Sequence, residues 1–155
     1  SKLIIVEFVD YNCGYCKRIF NDLQAVLAEQ PDVRLVVKEF PILAETSVLA
    51  AKAAIAAHRQ GKFRQFHISM MTWRGKIDGD AIEAAVQTAG LDKNRLLEDM
   101  EDELTAKILS KTRAAAAALE VRGTPALIIG ETIIPGAISK NEILDLINQT
   151  RAAKN

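Results

Sequence analysis

Long apolar runs, surplus charge and numerous cysteines are all missing from this sequence. The longest uninterrupted apolar runs, such as 3–6 and 114–119, fall far short of the roughly 20 residues that a membrane-spanning helix needs. The 20 Lys and Arg residues balance the 20 Asp and Glu residues, so composition gives no reason to expect binding to nucleic acid or to a charged membrane surface. We therefore expect no membrane-spanning segment and no nucleic-acid partner.

A secretion signal is also missing, because the apolar stretch 3–6 ends at Glu7 without a small-residue cleavage site. We interpret the sequence as a mature or trimmed chain from which the signal sequence is absent. Its 155 residues are enough for about one domain, and a hydrophobic content of 49% excludes a disordered chain. The expectation is a single domain, residues 1–155, with one compact core.

The only two cysteines, Cys13 and Cys16, lie three positions apart. A disulfide between them closes a loop too short to stabilise the fold much, so the pair is better suited to chemistry than to structure. At the start of a helix, the macrodipole and the unpaired N–H groups favour a thiolate on Cys13. Cys16, one turn further on, is placed to attack a mixed disulfide on Cys13. The spacing predicts Cys13 as nucleophile and Cys16 as resolving thiol; the alternative is a pair of ordinary core cysteines.

Metal binding is a further alternative for the cysteine pair. Zinc would require two more ligands, and His58 and His67 do not have the spacing that a zinc finger requires. We expect no metal, and no cofactor beyond a redox-active disulfide between Cys13 and Cys16.

The first part of the sequence has the pattern strand, helix, strand. Residues 3–9 and 33–40 are apolar runs of strand length, and between them helical spacing begins at Cys13 and ends near Pro31. Residues 42–120 then show helical spacing and no strand-like run. Within them, Asp80 and Glu83 have the spacing of a capping box and Gly90 suits a helix C-terminus, while 92–119 is one long helix or two that are separated at 98–103.

The last part of the sequence returns to strands. Residues 126–129 and 132–134 predict an antiparallel hairpin, and a second capping box at Ser139 and Glu142 predicts a final helix. The fold class is therefore α/β, with a helical insertion, approximately 42–120, between a βαβ half and a ββα half.

Gly123-Thr124-Pro125 comes immediately before the strand 126–129. Proline is an ordinary first residue of a strand. Together with the Cys-x-x-Cys helix and the order of elements, however, the motif resembles the thioredoxin superfamily, in which a cis-proline loop lies against the active disulfide. The resemblance implies a thioredoxin-like fold in which Thr124 and Pro125 position the substrate backbone.

The insertion, together with the strings 6–17 and 38–43, is similar to the DsbA-type thiol:disulfide oxidoreductases, in particular to their ScsC-like branch, whose members are often labelled outer-membrane proteins. The resemblance implies exchange of disulfides with unfolded or cysteine-containing envelope proteins and a membrane redox partner that resets the disulfide. It also implies a place in the bacterial periplasm or cell envelope, with outer-membrane association as one option. Gly14-Tyr15 and Thr124 depart from DsbA and resemble the DsbC-type isomerases. A disulfide isomerase or reductase, or a non-catalytic outer-membrane protein, is therefore an alternative.

Four further residues are candidates for a role at the cysteine pair. Gly14 and Tyr15, the dipeptide between the cysteines, should set the reduction potential of the pair and contact the substrate. The contact is expected for Tyr15 because its position makes it exposed. Glu7, inside an apolar strand, is a candidate, together with Lys38, for relaying a proton to or from Cys16. The alternative is that Glu7 reaches the surface or pairs with Lys38. Without the histidine of DsbA, we expect a Cys13 pKa below that of an ordinary thiol and a reduction potential between those of thioredoxin and DsbA.

Overall fold

The computed structural model describes residues 2–154 and confirms the predicted mixed α/β fold, with a helical insertion between its two halves. In chain order the elements are β1 (Leu3–Val9), α1 (Gly14–Glu29), β2 (Val33–Glu39), α2 (Glu45–Arg59), α3 (Phe63–Thr72), α4 (Gly79–Ala89), α5 (Lys93–Met100), α6 (Glu103–Ala118), β3 (Ala126–Ile129), β4 (Thr132–Pro135) and α7 (Lys140–Ala153). No helix in the described part of the chain is both long enough and apolar enough to span a bilayer.

The contacts of the chain divide it into two compact units. The sheet unit comprises the residues up to Val9, Cys13–Lys38 and the residues from Val121 onward. The helical unit comprises Asp10–Asn12 and Glu39–Glu120. Most of the helical unit is the insertion that the sequence predicts, whereas the short segment Asp10–Asn12 lies outside that insertion in the sequence. That all 155 residues form one domain stays a prediction.

The sheet unit is built on four strands in the order β2-β1-β3-β4. β1 and β3 are antiparallel, with Glu7 opposite Leu127, and β3 and β4 form the predicted antiparallel hairpin. Gly130, at φ +62°, is the first residue of the hairpin turn, a position for which glycine is favoured. The apolar core of this unit consists of Leu3, Ile5, Ile19, Leu23, Val26, Val33, Leu127, Ile129, Ile143 and Ile147.

The two helices of the sheet unit, α1 and α7, each contribute buried apolar residues to this core. On α1, Ile19, Leu23 and Val26 recur at helical spacing and are buried. The final helix, α7, begins with the predicted capping box, in which Ser139 and Glu142 each bond to the other's backbone. The buried residues of α1, the helix that carries the cysteine motif, thus pack into the core of the sheet unit.

In the helical unit, α2 is rich in alanine, and eight of its 15 residues are buried. The break between 98 and 103 produces two helices, α5 and α6, rather than one. The predicted start of α4 is wrong by two residues, because Asp78 and not Asp80 is its N-cap. Asp78 has extended backbone angles and accepts the N–H of Ala81, whereas Asp80 lies in the first helical turn. The predicted C-terminus at Gly90 is confirmed, since Gly90 has a left-handed conformation.

Candidate active site

Cys13 is the N-cap residue of α1, and its side chain lies at the end of the helix. Its Sγ accepts the backbone N–H of Cys16 at 3.1 Å, and its thiol donates to the carbonyl oxygen of Thr124 at 3.4 Å. Cys13 is 4% exposed and Cys16 is fully buried, and no disulfide joins them. The structure therefore shows the dithiol state, with the more accessible sulfur on the residue that the sequence predicts as nucleophile.

The two hydrogen bonds of Cys13 act on its ionisation in opposite directions. The N–H of Cys16 and the positive end of the α1 dipole favour a negative sulfur. The carbonyl oxygen of Thr124 favours the thiol, because only the protonated form can donate to it. The reactivity of Cys13 therefore depends on how firmly its sulfur is held against the helix end.

The loop before β3 brings a second element to the cysteine. The Thr124–Pro125 peptide bond is cis, and the carbonyl of Pro125 accepts the N–H of Gly136 at 2.8 Å. Pro125 is buried and Thr124 is half-buried. The carbonyl oxygen of Thr124 lies 3.4 Å from the sulfur of Cys13, and that Thr124 and Pro125 position a substrate backbone stays a prediction.

The dipeptide between the cysteines faces outward. Tyr15 is 58% exposed, and the guanidinium of Arg18 lies 4.9 Å from the centre of its ring. A Cβ added to Gly14 would meet nothing within 4 Å. Tyr15, Arg18 and Ile19 line one side of a groove of about 420 Å³, and the loop 136–139 lines the other. Tyr15 is thus placed where a chain attached to Cys13 would contact it, although that contact stays a prediction.

Glu7 is buried, with only 2% of its surface exposed, so the alternative that it reaches the surface is wrong. Burial, followed by the charge of Cys13, raises the pKa of Glu7 from 4.5 to about 8. The charge of Cys13 thus contributes to this shift, and a proton relay between Glu7 and Cys16 stays a prediction.

Lys38 does not join Glu7 in the structure. Its side chain is exposed. None of the ion pairs within residues 2–154 connects it to Glu7, so the alternative of a Glu7–Lys38 pair is wrong. Proton transfer by Glu7 or by Lys38 stays a prediction.

With this geometry established, the chain can be compared with known proteins. Residues 4–148 match the family described as DSBA-like thioredoxin domain. The chain belongs to this family. The thioredoxin resemblance that the sequence carries in its cysteine and proline motifs is thereby confirmed.

Three solved structures of oxidoreductases or related proteins are similar to this DSBA-like domain. A thioredoxin-like oxidoreductase from Silicibacter pomeroyi is 35% identical with a TM-score of 0.94, over 98% of this chain and 88% of that one. The catalytic domain of ScsC from Proteus mirabilis is 30% identical with a TM-score of 0.89, over 98% and 85%. The thiol-disulfide exchange protein alpha-DsbA2 from Wolbachia pipientis is 29% identical with a TM-score of 0.89, over 96% and 82%. These neighbours support a DsbA-like oxidoreductase, as the sequence predicts.

Two further proteins are similar to this chain, one described as periplasmic and one much longer than the chain. A periplasmic thioredoxin-like protein from Salmonella enterica is 34% identical with a TM-score of 0.89, over 98% of this chain and 86% of that one. A protein named Na(+)/H(+) antiporter NhaA, from Herminiimonas arsenicoxydans, is 24% identical over 97% of this chain. The DSBA-like domain spans only 24% of that antiporter's length.

Sequence reasoning missed the role of residues 10–12 in this DSBA-like domain. From the sequence, Asp10 and Tyr11 are expected only to shape the loop before the cysteine motif. In the structure both residues also have long-range hydrogen-bond partners, among them Glu39 and His67, which lie between 28 and 56 positions away in the sequence. Local spacing carries no signal for such contacts. The hint that the sequence offers is a charged residue followed by an aromatic one, separated from the cysteine motif by Asn12 alone.

The described part of the chain, residues 2–154, contains no group of three or more His, Cys, Asp and Glu side chains arranged to hold a metal ion. His67, one of the two histidines considered as zinc ligands, is buried and bonded to Tyr11. Burial lowers the pKa of His67 from 6.5 to about 4, so its ring is neutral at neutral pH.

Proposed function

We propose that this chain is a thiol:disulfide oxidoreductase that exchanges disulfides with cysteine-containing proteins of the bacterial envelope. One observation carries the proposal: the sulfur of Cys13 caps the N-terminus of α1, where it accepts the N–H of Cys16 at 3.1 Å. This position stabilises a thiolate, which is the reactive form of cysteine. The family and the named activities of the solved neighbours support the same reaction class.

In the oxidising direction, the enzyme begins with a disulfide between Cys13 and Cys16. A substrate thiolate attacks Sγ of Cys13, the Cys13–Cys16 bond breaks, and Cys16 leaves as a thiolate. A second substrate thiolate then attacks the substrate sulfur of the mixed disulfide, and Cys13 leaves. Two electrons pass from the substrate dithiol to the cysteine pair, and the substrate acquires the disulfide. The reverse sequence reduces or rearranges substrate disulfides.

Proton transfer at neutral pH requires a group that titrates in that range. The carboxyl of Glu7 qualifies, because burial and the charge of Cys13 raise its pKa to about 8. It holds a proton while Cys13 is a thiolate. When a disulfide forms, the sulfur loses its charge, so the carboxyl releases its proton more readily. The protonation of Glu7 thereby depends on the redox state of Cys13.

The substrate chain lies along two elements beside Cys13. The backbone of half-buried Thr124 pairs with an extended substrate, and the exposed ring of Tyr15 offers an apolar surface with a hydroxyl at its edge. We favour an oxidase or a mixed activity, with isomerase or reductase activity as the second candidate because Gly14-Tyr15 and Thr124 resemble the isomerase pattern. The periplasm is the proposed compartment, supported by the periplasmic neighbour. A membrane redox partner would restore the disulfide.

The experiment that tests this function is the equilibrium potential of the Cys13–Cys16 pair in glutathione buffers, with Cys13→Ser as the control that cannot form the pair. A potential between about −120 and −180 mV supports a disulfide donor or isomerase. A potential near about −270 mV would instead make the protein a thioredoxin-like reductant. A non-catalytic role would follow if the wild type and Cys13→Ser behaved alike in disulfide exchange with an unfolded dithiol protein.

A further inference from the structure

The three residues before Cys13 are fixed by side chains of the helical unit, beginning with Asp10. Its carboxylate is 2% exposed and accepts four hydrogen bonds. Oδ2 accepts the backbone N–H groups of Ile42 and Leu43, each at 2.9 Å. Oδ1 accepts the N–H of Asn12 at 2.8 Å and the hydroxyl of Ser47 at 2.7 Å. Asp10 therefore holds both the turn that leads to Cys13 and the segment that leads into α2.

Tyr11 is fixed by a different pair of buried groups. Its hydroxyl donates to Oε2 of Glu39 at 3.1 Å and lies 2.8 Å from Nδ1 of His67. The ring is 1% exposed and packs edge-on against Phe66 and His67. Such a ring cannot turn or shift without breaking hydrogen bonds of buried groups.

Asn12 completes the anchoring, and it is the residue joined directly to Cys13. Its Nδ2 donates to Oγ1 of Thr46 at 3.0 Å and to Oγ of Ser47 at 2.8 Å, both in the first turn of α2. Ser47 is 1% exposed. Its hydroxyl thus accepts from Asn12 while it donates to Asp10, so this one hydroxyl ties together two of the three residues.

We propose that Asp10, Tyr11 and Asn12 are positioning residues for Cys13: their hydrogen-bonded side chains fix the backbone that leads into Cys13, and with it the sulfur at the N-terminus of α1. The inference rests on the proposed function, in which the thiolate of Cys13 is the reacting group. It requires no contact beyond the peptide bond between Asn12 and Cys13, which is planar and leaves few degrees of freedom between the two residues. Ser47, although 34 positions after Cys13, takes part in anchoring two of the three residues, Asp10 and Asn12.

The two redox states depend unequally on this anchoring. In the disulfide, a covalent bond to Cys16 holds the sulfur of Cys13 in place. In the dithiol no such covalent bond exists, so the position of the sulfur depends on the backbone and on hydrogen bonds, among them the 3.1 Å bond from the N–H of Cys16 and the 3.4 Å bond to the carbonyl oxygen of Thr124. Loosening residues 10–12 therefore reduces the time that the sulfur spends at the helix end, and the reduced form loses more stabilisation than the oxidised form.

The test compares two substitutions that each remove one buried hydroxyl from the helical unit. Ser47→Ala removes a hydroxyl that bonds to Asp10 and Asn12. Thr105→Val removes a hydroxyl that is 0% exposed and donates to the carbonyl of Asp99 at 2.6 Å, with no bond to residues 10–12. Both should lower the free energy of unfolding, so any difference at Cys13 separates positioning from general destabilisation.

The readouts are the rate at which Cys13 of the reduced protein is alkylated at pH 6 and the equilibrium constant with glutathione. In Ser47→Ala the alkylation rate should fall by about threefold or more, since less thiolate is present at that pH. In the glutathione equilibrium, protein disulfide plus two glutathione thiols gives protein dithiol plus glutathione disulfide. The balance should move toward the protein disulfide by a similar factor. Thr105→Val should change neither quantity.

Asn12→Ala is the second variant, because it removes the same anchor without altering α2. Equal effects in Ser47→Ala and Thr105→Val, or unchanged alkylation in both Ser47→Ala and Asn12→Ala, would overturn the inference. The alkylation rate measures the thiolate of Cys13 whether or not the protein exchanges disulfides with a substrate. If the wild type fails in disulfide exchange while the variants still alter alkylation, the proposed function fails and the positioning role stands.

Discussion

The thiol of Cys13 donates a hydrogen bond to the carbonyl oxygen of Thr124 at 3.4 Å. A thiolate or a disulfide has no proton to donate, so this bond exists only in the protonated dithiol. Once Cys13 has reacted, the carbonyl of Thr124 becomes available to an N–H of the incoming chain. The reactive sulfur and the backbone group proposed to bind substrate are therefore coupled through one oxygen atom.

This coupling leads to a prediction for a trapped complex. Cys16→Ser removes the resolving thiol, so the mixed disulfide between Cys13 and a substrate should accumulate and survive non-reducing electrophoresis. In a complex with a cysteine-containing peptide, the carbonyl carbon signal of Thr124 should shift as its acceptor role passes from the thiol to the peptide N–H. The control is a peptide with serine in place of cysteine. A trapped complex in which the Thr124 signal does not move would contradict backbone binding at this residue.

Gly14 and Gly130 should respond oppositely to alanine. A Cβ at Gly14 meets nothing within 4 Å, and alanine is a better helix former, so Gly14→Ala should raise the free energy of unfolding by about 0.5 to 1 kcal/mol. Gly130 has φ +62°, and its Cβ would lie 2.6 Å from Oγ1 of Thr150, so Gly130→Ala should cost at least about 1 to 2 kcal/mol. Chemical denaturation measures both. A stability loss in Gly14→Ala would show that glycine is required at that position.

Glu7 should make the protein less stable as the pH rises. Its pKa is about 8 in the folded protein and that of an ordinary carboxyl, 4.5, when unfolded. Between these values the folded state binds more protons, so stability falls as the pH increases toward 8. Burial is the larger cause and persists in the oxidised protein, where Cys13 carries no charge. Between pH 5 and 9 the oxidised wild type should therefore lose roughly 2 to 4 kcal/mol more than Glu7→Gln, as measured by urea denaturation. Parallel pH profiles for the two proteins would contradict a buried, protonated Glu7.

How far the sequence predicts this molecule depends on the distance over which each signal acts. The cysteine motif, the capping box at Ser139 and the hairpin turn are encoded within a few neighbouring residues, and all three have the predicted local structure. Glu7 shows the limit, because its burial depends on a strand, β3, that follows more than 100 positions later. The anchoring of Asp10 and Tyr11 is equally invisible, since each side chain bonds to residues that only the folded helical unit brings near.

His67 should act on stability in the opposite direction to Glu7. Burial lowers its pKa to about 4, below the ordinary 6.5, so between these values the unfolded state binds more protons. Stability from this residue is therefore present above pH 6.5 and is lost as the pH falls toward 4. The contribution of Glu7 to stability is instead lost as the pH rises from 4.5 to about 8. The two effects should offset one another from about pH 4.5 to 6.5, which leaves a plateau in the wild type followed by a decline above it.

His67→Asn separates the two effects, because asparagine does not titrate but keeps a polar group facing the hydroxyl of Tyr11. The plateau should disappear, and stability in the variant should decline continuously from about pH 4.5 to 8 as Glu7 ionises. The double variant Glu7→Gln/His67→Asn should lose both slopes, which assigns each slope to one residue. If His67→Asn kept the wild-type plateau, His67 would not be the group whose titration offsets that of Glu7. The buried neutral ring beside Tyr11 would then not affect the stability of the protein at acidic pH.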